Sequence, residues 1–180
     1  MHIFVNIIFL VGLLFTPIRT PIVSIRDEDK TPECLAKELN KENCFKLISR
    51  GLYDKFGLQV EPIGWASRRP EIYYVTFTTF YLNKINSQDE ARALIVKVVS
   101  YVLDFLNENP DAVPLLIEHP FSPEKMFFSV KFIDNLMNEE GWGSVNMYRG
   151  TVNYTYVYEK IKVPSETFEE AKAKVAASSR

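Results

Sequence analysis

The feature that most constrains the fold is a strand followed at once by a long helix, between residues 71 and 109. Residues 71–83 are rich in β-branched and aromatic side chains and contain neither Gly nor Pro, which is typical of a buried strand. Residues 87–108 begin with Ser-Gln-Asp-Glu, a capping box that predicts a helix start at Ser87. The apolar stripe that follows, at three- and four-residue steps, predicts a helix packed against the sheet.

Further segments complete the predicted fold. Residues 126–134 alternate between apolar and polar side chains, and residues 145–162 form a long tyrosine-rich β segment that Gly150 interrupts as a bulge or kink would. Residues 32–56 contain short helical stripes, and residues 58–61 favour a short strand. We therefore predict an α+β domain. Its mainly antiparallel sheet has three to four strands, with the long helix packed on one face and N-terminal helices covering that face.

The sequence divides the chain into three parts. Ile3–Phe15 is an almost unbroken apolar run, as long as a signal-peptide core and shorter than the ~20 residues that span a bilayer. We predict a signal peptide in residues 1–24, a flexible leader in 25–31, and one α+β domain in 32–180 that ends in a weakly held charged helix. The chain would be exported, either to a periplasm or as a secreted protein. An uncleaved membrane anchor and a buried N-terminal element are the alternatives, because no basic residue precedes the run and no Ala-x-Ala site follows it.

Composition and motifs exclude several classes of function. The formal net charge of −2 provides no basic field for nucleic acid, which a protein with many phosphate contacts needs. No metal-ligand spacing, phosphate loop or dinucleotide fingerprint occurs in the sequence, so no cofactor is expected. A membrane is an expected partner only if the N-terminal segment is retained.

Cys34 and Cys44 are the two cysteines of the chain. On one continuous helix they would lie ~15 Å apart, too far for a disulfide. A break near Asn40–Lys41 would fold two short helices together and allow the bond. The sequence leaves a disulfide and two buried thiols as alternatives.

A catalytic centre would have to use His119, because the other histidine, His2, lies in the predicted signal peptide. Glu118 or Asp134 would orient the imidazole ring. No Ser or Cys lies in a nucleophile motif such as G-x-S-x-G, which favours a surface loop histidine instead. A hydrolase-like enzyme with a site around Glu118, His119 and Asp134 is therefore the alternative function.

The favoured function is a non-enzymatic binding or structural module for an unknown protein or small apolar ligand. Its candidate binding residues are Trp65, Trp142, Tyr154 and Tyr156. Both tryptophans lie in glycine-containing loops, where a Trp either anchors a partner or closes the edge of the core. The tyrosines share one parity of the predicted strand with Tyr148 and Tyr158, so they form either a binding face or a core beneath the helix.

Residues 153–155, Asn-Tyr-Thr, match the acceptor pattern for N-glycosylation. Asn153 has the polar parity of its predicted strand, which predicts that its side chain is exposed. The pattern is common by chance, and by itself it indicates no function.

Overall fold

The fold is built on one mixed β-sheet whose strands follow each other in space as they do in the sequence. The computed structural model describes residues 31–61, 71–157 and 163–178. In these ranges the strands are β1 (Leu58–Val60), β2 (Val75–Tyr81), β3 (Met126–Phe132), β4 (Trp142–Tyr148), β5 (Thr151–Tyr156) and β6 (Glu166–Thr167). The α-helices are α1 (Pro32–Phe56), α2 (Gln88–Glu108), α3 (Ile133–Met137) and α4 (Phe168–Ser178), and two short 3-10 helices lie between α2 and β3, at Val113–Leu115 and Pro123–Lys125.

The α+β class is confirmed, but the predicted sheet of three to four strands is wrong. The described part of the chain contains six strands, and β2 and β3 run parallel, whereas the other neighbouring pairs are antiparallel. The parallel pair follows from α2, because a helix that connects two neighbouring strands returns the chain to the end from which it started. The short strand predicted over residues 58–61 is present as β1, whereas β6, with two residues, is too short to show a two-residue period.

The segment predicted as one strand over residues 145–162 is a hairpin followed by residues 158–162, which lie outside the described residues. β4 and β5 are joined by a turn in which Arg149 has φ 49° and Gly150 has φ 75°. Two positive φ values in a row are typical of a tight hairpin turn, so Gly150 is a turn residue rather than a bulge. The reversal places Tyr148 and Tyr154 on opposite faces, with exposed fractions of 49% and 6%.

One face of the sheet carries the hydrophobic core. The strand registers place Phe77, Phe128, Met147 and Val152 side by side on this face, and all four are buried. The ring of Phe45, from α1, stacks on Phe77 with 5.3 Å between the ring centroids. Helices α2 and α4 contact each other and the same end of the sheet, so the core lies between the helices and this face.

The opposite face, here called the outer face, carries polar and aromatic side chains. Its partly or fully exposed residues are Thr76, Phe80, Phe127, Lys131, Ser144, Asn146, Tyr148, Thr151, Asn153 and Thr155. Thr78 and Ser129 are buried at its centre, so the polar residues of the alternating segment 126–134 include one, Ser129, that lies on the outer face but is not exposed.

Helix α2 begins as predicted. The Ser87 hydroxyl accepts a hydrogen bond from the Glu90 backbone N–H at 3.1 Å. In a capping box the Glu90 carboxylate accepts from the backbone N–H of Ser87. Here it accepts from the backbone N–H of the preceding residue, Asn86, at 2.8 Å. The stripe residues Ala91, Ile95, Val98, Val102 and Leu106 are fully buried.

Helix α1 runs without a break through Asn40 and Lys41. Cys34 and Cys44 therefore lie on one helix and are not joined by a disulfide, as the continuous-helix alternative requires. Cys44 is buried, and this burial raises the pKa of its thiol. Within the described residues no helix is both long enough and apolar enough to cross a membrane. The predictions for residues 1–24 and for the leader up to residue 30 lie outside the described residues.

Candidate binding cleft

The four predicted binding residues do not form one surface. Trp65 lies outside the described residues. The half-buried ring of Trp142 meets the rings of Tyr154 and Tyr156 edge to face, at centroid distances of 6.2 and 5.3 Å. Tyr154 is part of the core, and Tyr156 is only partly exposed. Tyr156 borders a surface depression.

The predicted catalytic residues are not brought together. His119 is exposed, and its Nε2 lies 3.1 Å from the backbone oxygen of Asn107, near the end of α2. The Glu118 carboxylate pairs with the ammonium group of Lys125, just before β3. Asp134 follows the far end of β3, and seven residues of strand at ~3.3 Å each separate the two ends by roughly 20 Å. In the described residues, no group of three His, Cys, Asp or Glu side chains could hold a metal ion.

A buried polar cluster joins α2, β5, β6 and α4. The Glu166 carboxylate accepts from Arg92 Nε at 2.6 Å and from Lys174 Nζ at 2.6 Å. The Tyr154 hydroxyl donates to the same carboxylate, and the other end of the Arg92 guanidinium pairs with Asp89. These bonds satisfy the buried groups and fix the start of α4 against α2.

The electrostatics of this cluster are those of a structural ion pair. Burial raises the pKa of Tyr154, and its hydrogen bond to Glu166 raises it further. Burial also acts to raise the pKa of Glu166, but the bonds from Lys174, Tyr154 and Arg92 outweigh it, so this pKa lies below its usual value. The carboxylate is therefore charged and accepts hydrogen bonds from three donors that hold it in place, as expected of a structural group.

An open cleft of about 440 Å³ lies where α1 ends, β2 ends and α2 begins its second turn. Its apolar surface comes from Phe56 of α1, Tyr81 of β2 and Leu94 of α2, all of which are partly buried. Ile85, in the connection between β2 and α2, closes one end and is buried. The volume lies in the range of about 300–1,000 Å³ found for small-molecule sites.

Three lysines surround this apolar surface, one from each of the three segments that form the cleft. Lys55 ends α1, Lys84 follows β2, and Lys97 lies on α2. The Lys84 ammonium lies 3.3 Å from the Glu140 carboxylate, and both groups are solvent-exposed. Lys55 Nζ lies 4.4 Å from the centroid of the Tyr101 ring. Among the described residues, Lys55 and Lys97 have no carboxylate within ion-pair distance.

The position of the Lys84 side of the cleft is fixed by Asn135. Its buried amide accepts from the Ile85 backbone N–H at 2.9 Å and donates to the Ile85 carbonyl at 2.7 Å. A second depression of about 380 Å³ continues beyond Lys84 and Ile85 and is bordered by Tyr156. The cleft wall is therefore held by paired hydrogen bonds from α3, and does not depend on a ligand.

Sequence reasoning missed this cleft because its residues come from three separate segments. Lys55 and Phe56 end the first helix, and in the second helix Leu94 belongs to the predicted apolar stripe whereas Lys97 lies on the opposite side. The local signals are isolated lysines, which are also common on solvated surfaces. In comparisons with known proteins, the chain matches no family model, no curated protein and no solved structure.

Proposed function

We propose that this protein is a non-enzymatic binding module that holds a small amphiphilic anion in the cleft between α1 and α2. The observation that carries the proposal is the pairing of a partly buried apolar floor with three lysines, two of which have no carboxylate partner in the described part of the chain. Such a floor favours a hydrocarbon or aromatic group, and the ammonium groups favour a carboxylate, sulfonate or phosphate head.

The apolar part of the ligand would supply most of the binding energy. A buried methylene contributes about 0.8 kcal/mol, so a short alkyl chain laid over Phe56, Tyr81 and Leu94 would gain several kcal/mol. The charged head would add orientation more than affinity, because an exposed ion pair contributes about 0.2–1 kcal/mol.

The charge balance of the cleft selects the sign of the ligand. Three lysines face one carboxylate in the lining, that of Glu90, and this carboxylate accepts from the Asn86 backbone N–H. The whole chain has a net charge of −2, so the positive charge at the cleft is a local departure from the surrounding surface. This contrast favours an anion at the cleft over other positions on the molecule.

Isothermal titration calorimetry with octanoate and with uncharged 1-octanol tests this function. We expect octanoate to bind more tightly, because only the carboxylate interacts with the lysines. The double variant Lys55→Gln/Lys97→Gln should weaken octanoate binding roughly tenfold, from two ion pairs of up to about 1 kcal/mol each, and leave 1-octanol binding unchanged.

The matched control is Lys37→Gln/Lys46→Gln, which removes the same charge from exposed positions of α1 where the lysines pair with Glu33 and Glu42. This control should bind both probes as the unmodified protein does. Leu94→Ala should weaken both probes, because it removes part of the apolar floor. An absence of binding, or an equal loss in the two double variants, would refute the proposed function.

A further inference from the structure

Asn153 and Thr155 lie on the outer face of the sheet, on the side away from the helices, and both side chains are exposed. Tyr154 between them points into the core. We propose that Asn153 carries one N-linked glycan, added in the secretory pathway of a eukaryotic cell. The proposal rests on the export of the chain, which the apolar run Ile3–Phe15 favours, and it does not depend on the binding cleft.

The position on β5 gives a glycan room on two sides. β6 pairs only with Thr151 and Val152, so Asn153 lies just beyond the end of the neighbouring strand. Across the sheet its partner in register is Asn146 of β4, a partly exposed polar residue. As far as the described residues go, the glycan can therefore leave the sheet outward and past the end of β6.

The Asn153 amide is available for reaction. Its Nδ2 donates to the Thr151 backbone oxygen at 3.4 Å, which is beyond the usual 2.7–3.2 Å of an N–H···O bond. The sequence contains no other Asn-x-Ser/Thr triplet, so one modification per chain is the most that the pattern allows.

The reaction is a transfer of an oligosaccharide from a lipid diphosphate donor. A bond forms between Asn153 Nδ2 and the first carbon of the sugar, and the bond from that carbon to the diphosphate oxygen breaks. The lipid diphosphate leaves with the electron pair, and the amide nitrogen loses one proton to the transferase. Thr155 supplies the hydroxyl that completes the acceptor triplet.

A glycan at this position would cover the outer face. Its aromatic side chains Phe127 and Tyr148 meet edge to face at 6.3 Å, and Tyr148 is exposed. A bulky, hydrated group beside them keeps an exposed sheet face from associating with other apolar surfaces. The lysine cleft lies on the helical side of the sheet and stays open.

The test is expression of the full chain, with its own N-terminal segment, in insect cells. Enzymatic removal of N-glycans should shift the mobility of the protein by one glycan and convert Asn153 to aspartate, as peptide mass spectrometry would show. Thr155→Ala should abolish the shift, and Thr155→Ser should retain it, because serine also provides the hydroxyl.

Asn153→Gln should remove the glycan while octanoate binding remains unchanged, so this test is separate from that of the cleft. Unmodified Asn153 in the recovered chain would overturn the proposal, whether the chain has been secreted or has stayed inside the cell. A shift that persists in Thr155→Ala would overturn it as well, because the modified residue would then lie elsewhere.

Discussion

At the scale of single residues, Glu166 connects three elements of the fold. Its carboxylate accepts bonds from residues of three different elements, Arg92, Tyr154 and Lys174. The side chains of Glu166 and Arg92 are almost fully buried. A buried pair of this kind is strongly destabilising when one partner is removed, because the other charge remains without compensation.

We therefore expect Glu166→Gln to lower the free energy of unfolding by about 3–5 kcal/mol. The control is Glu169→Gln in α4, the helix that follows β6; its side chain is exposed and, among the described residues, pairs with Lys172 at 3.5 Å. That variant should stay within about 0.5 kcal/mol of the unmodified protein. Urea unfolding followed by tryptophan fluorescence measures both, and equal effects would show that the Glu166 cluster contributes little.

The unmodified protein and Glu166→Gln should respond differently to acid. The pKa of Glu166 is lowered by folding, so its contribution is complete above its unfolded pKa of about 4.3 and is lost as the pH falls through the folded pKa. Arg92, Lys174 and Tyr154 face the carboxylate, and the pKa values of Arg92 and Tyr154 are raised above their usual values, which already lie far above this range. The stability gap between unmodified protein and Glu166→Gln should thus be constant near neutral pH and close below pH ~4.

Arg92 shows what a residue's own sequence context cannot reveal. Helical periodicity places it on the polar side of α2, yet it is buried because Glu166, 74 positions later, lies opposite to it. No local pattern encodes a partner at that separation. Ser87, by contrast, forms its predicted cap because both partners lie in the same four residues.

At the scale of elements, α1 packs closely against Tyr101 of α2 at Gly51. A Cβ atom added there would lie 1.8 Å from the hydroxyl oxygen of Tyr101 and 2.6 Å from Cζ. The Tyr101 ring cannot shift freely, because it packs edge to face on Phe56 at 5.7 Å. Gly51 is thus required by the contact between two helices rather than by its own backbone conformation.

Gly51→Ala should lower the free energy of unfolding by about 1–3 kcal/mol, the usual cost of overpacking. In a Tyr101→Ala background the same substitution should raise it by up to about 1 kcal/mol, since alanine is the better helix former and the obstacle is gone. Thermal or urea unfolding of the four proteins gives both values. A stabilising Gly51→Ala in the unmodified protein would mean that the helices do not approach so closely.

An element was predictable when the signals for its start and its periodicity lie within its own residues, and was missed when they do not. The capping box and the apolar stripe gave α2 nearly to the residue. The β4–β5 turn was missed because Arg149 occupies a position of positive φ, where Asn or Asp is the usual signal. The parallel pairing of β2 and β3 depends on how the crossover packs, which the pattern of each strand alone does not determine.

At the scale of the whole molecule, the helices on one side of the sheet create both the core and the cleft. Lys55, Lys84 and Lys97 become neighbours only when α1, the end of β2 and α2 converge. Composition and periodicity indicated the layers of the fold, whereas the candidate site depends on the contact between three segments. The tyrosine face expected from sequence was divided by the hairpin turn, with Tyr148 on the outer face and Tyr154 in the core.

The last prediction concerns the charged C-terminal helix, which the sequence predicts to be weakly held. In the structure Phe168 and Ala171 of α4 are buried, and Lys174 bonds to Glu166. Deleting residues 164–180 removes the burial of Phe168, about 1.5–3 kcal/mol, and leaves Arg92 without the Glu166 carboxylate, about 3–5 kcal/mol. The total is comparable with the 5–15 kcal/mol that stabilises a typical domain.

We therefore expect the shortened chain to lose its cooperative thermal transition, measured by near-ultraviolet circular dichroism. The control is a chain that lacks only residues 177–180, because Ala177 and Ser178 are exposed, and it should melt within a few degrees of the full chain. If the deletion of 164–180 also melts cooperatively near that temperature, α4 is a weakly held appendage as its sequence suggests. The Arg92–Glu166 pair would then be a local contact, and the stability of the domain would come from the sheet, α1 and α2 alone.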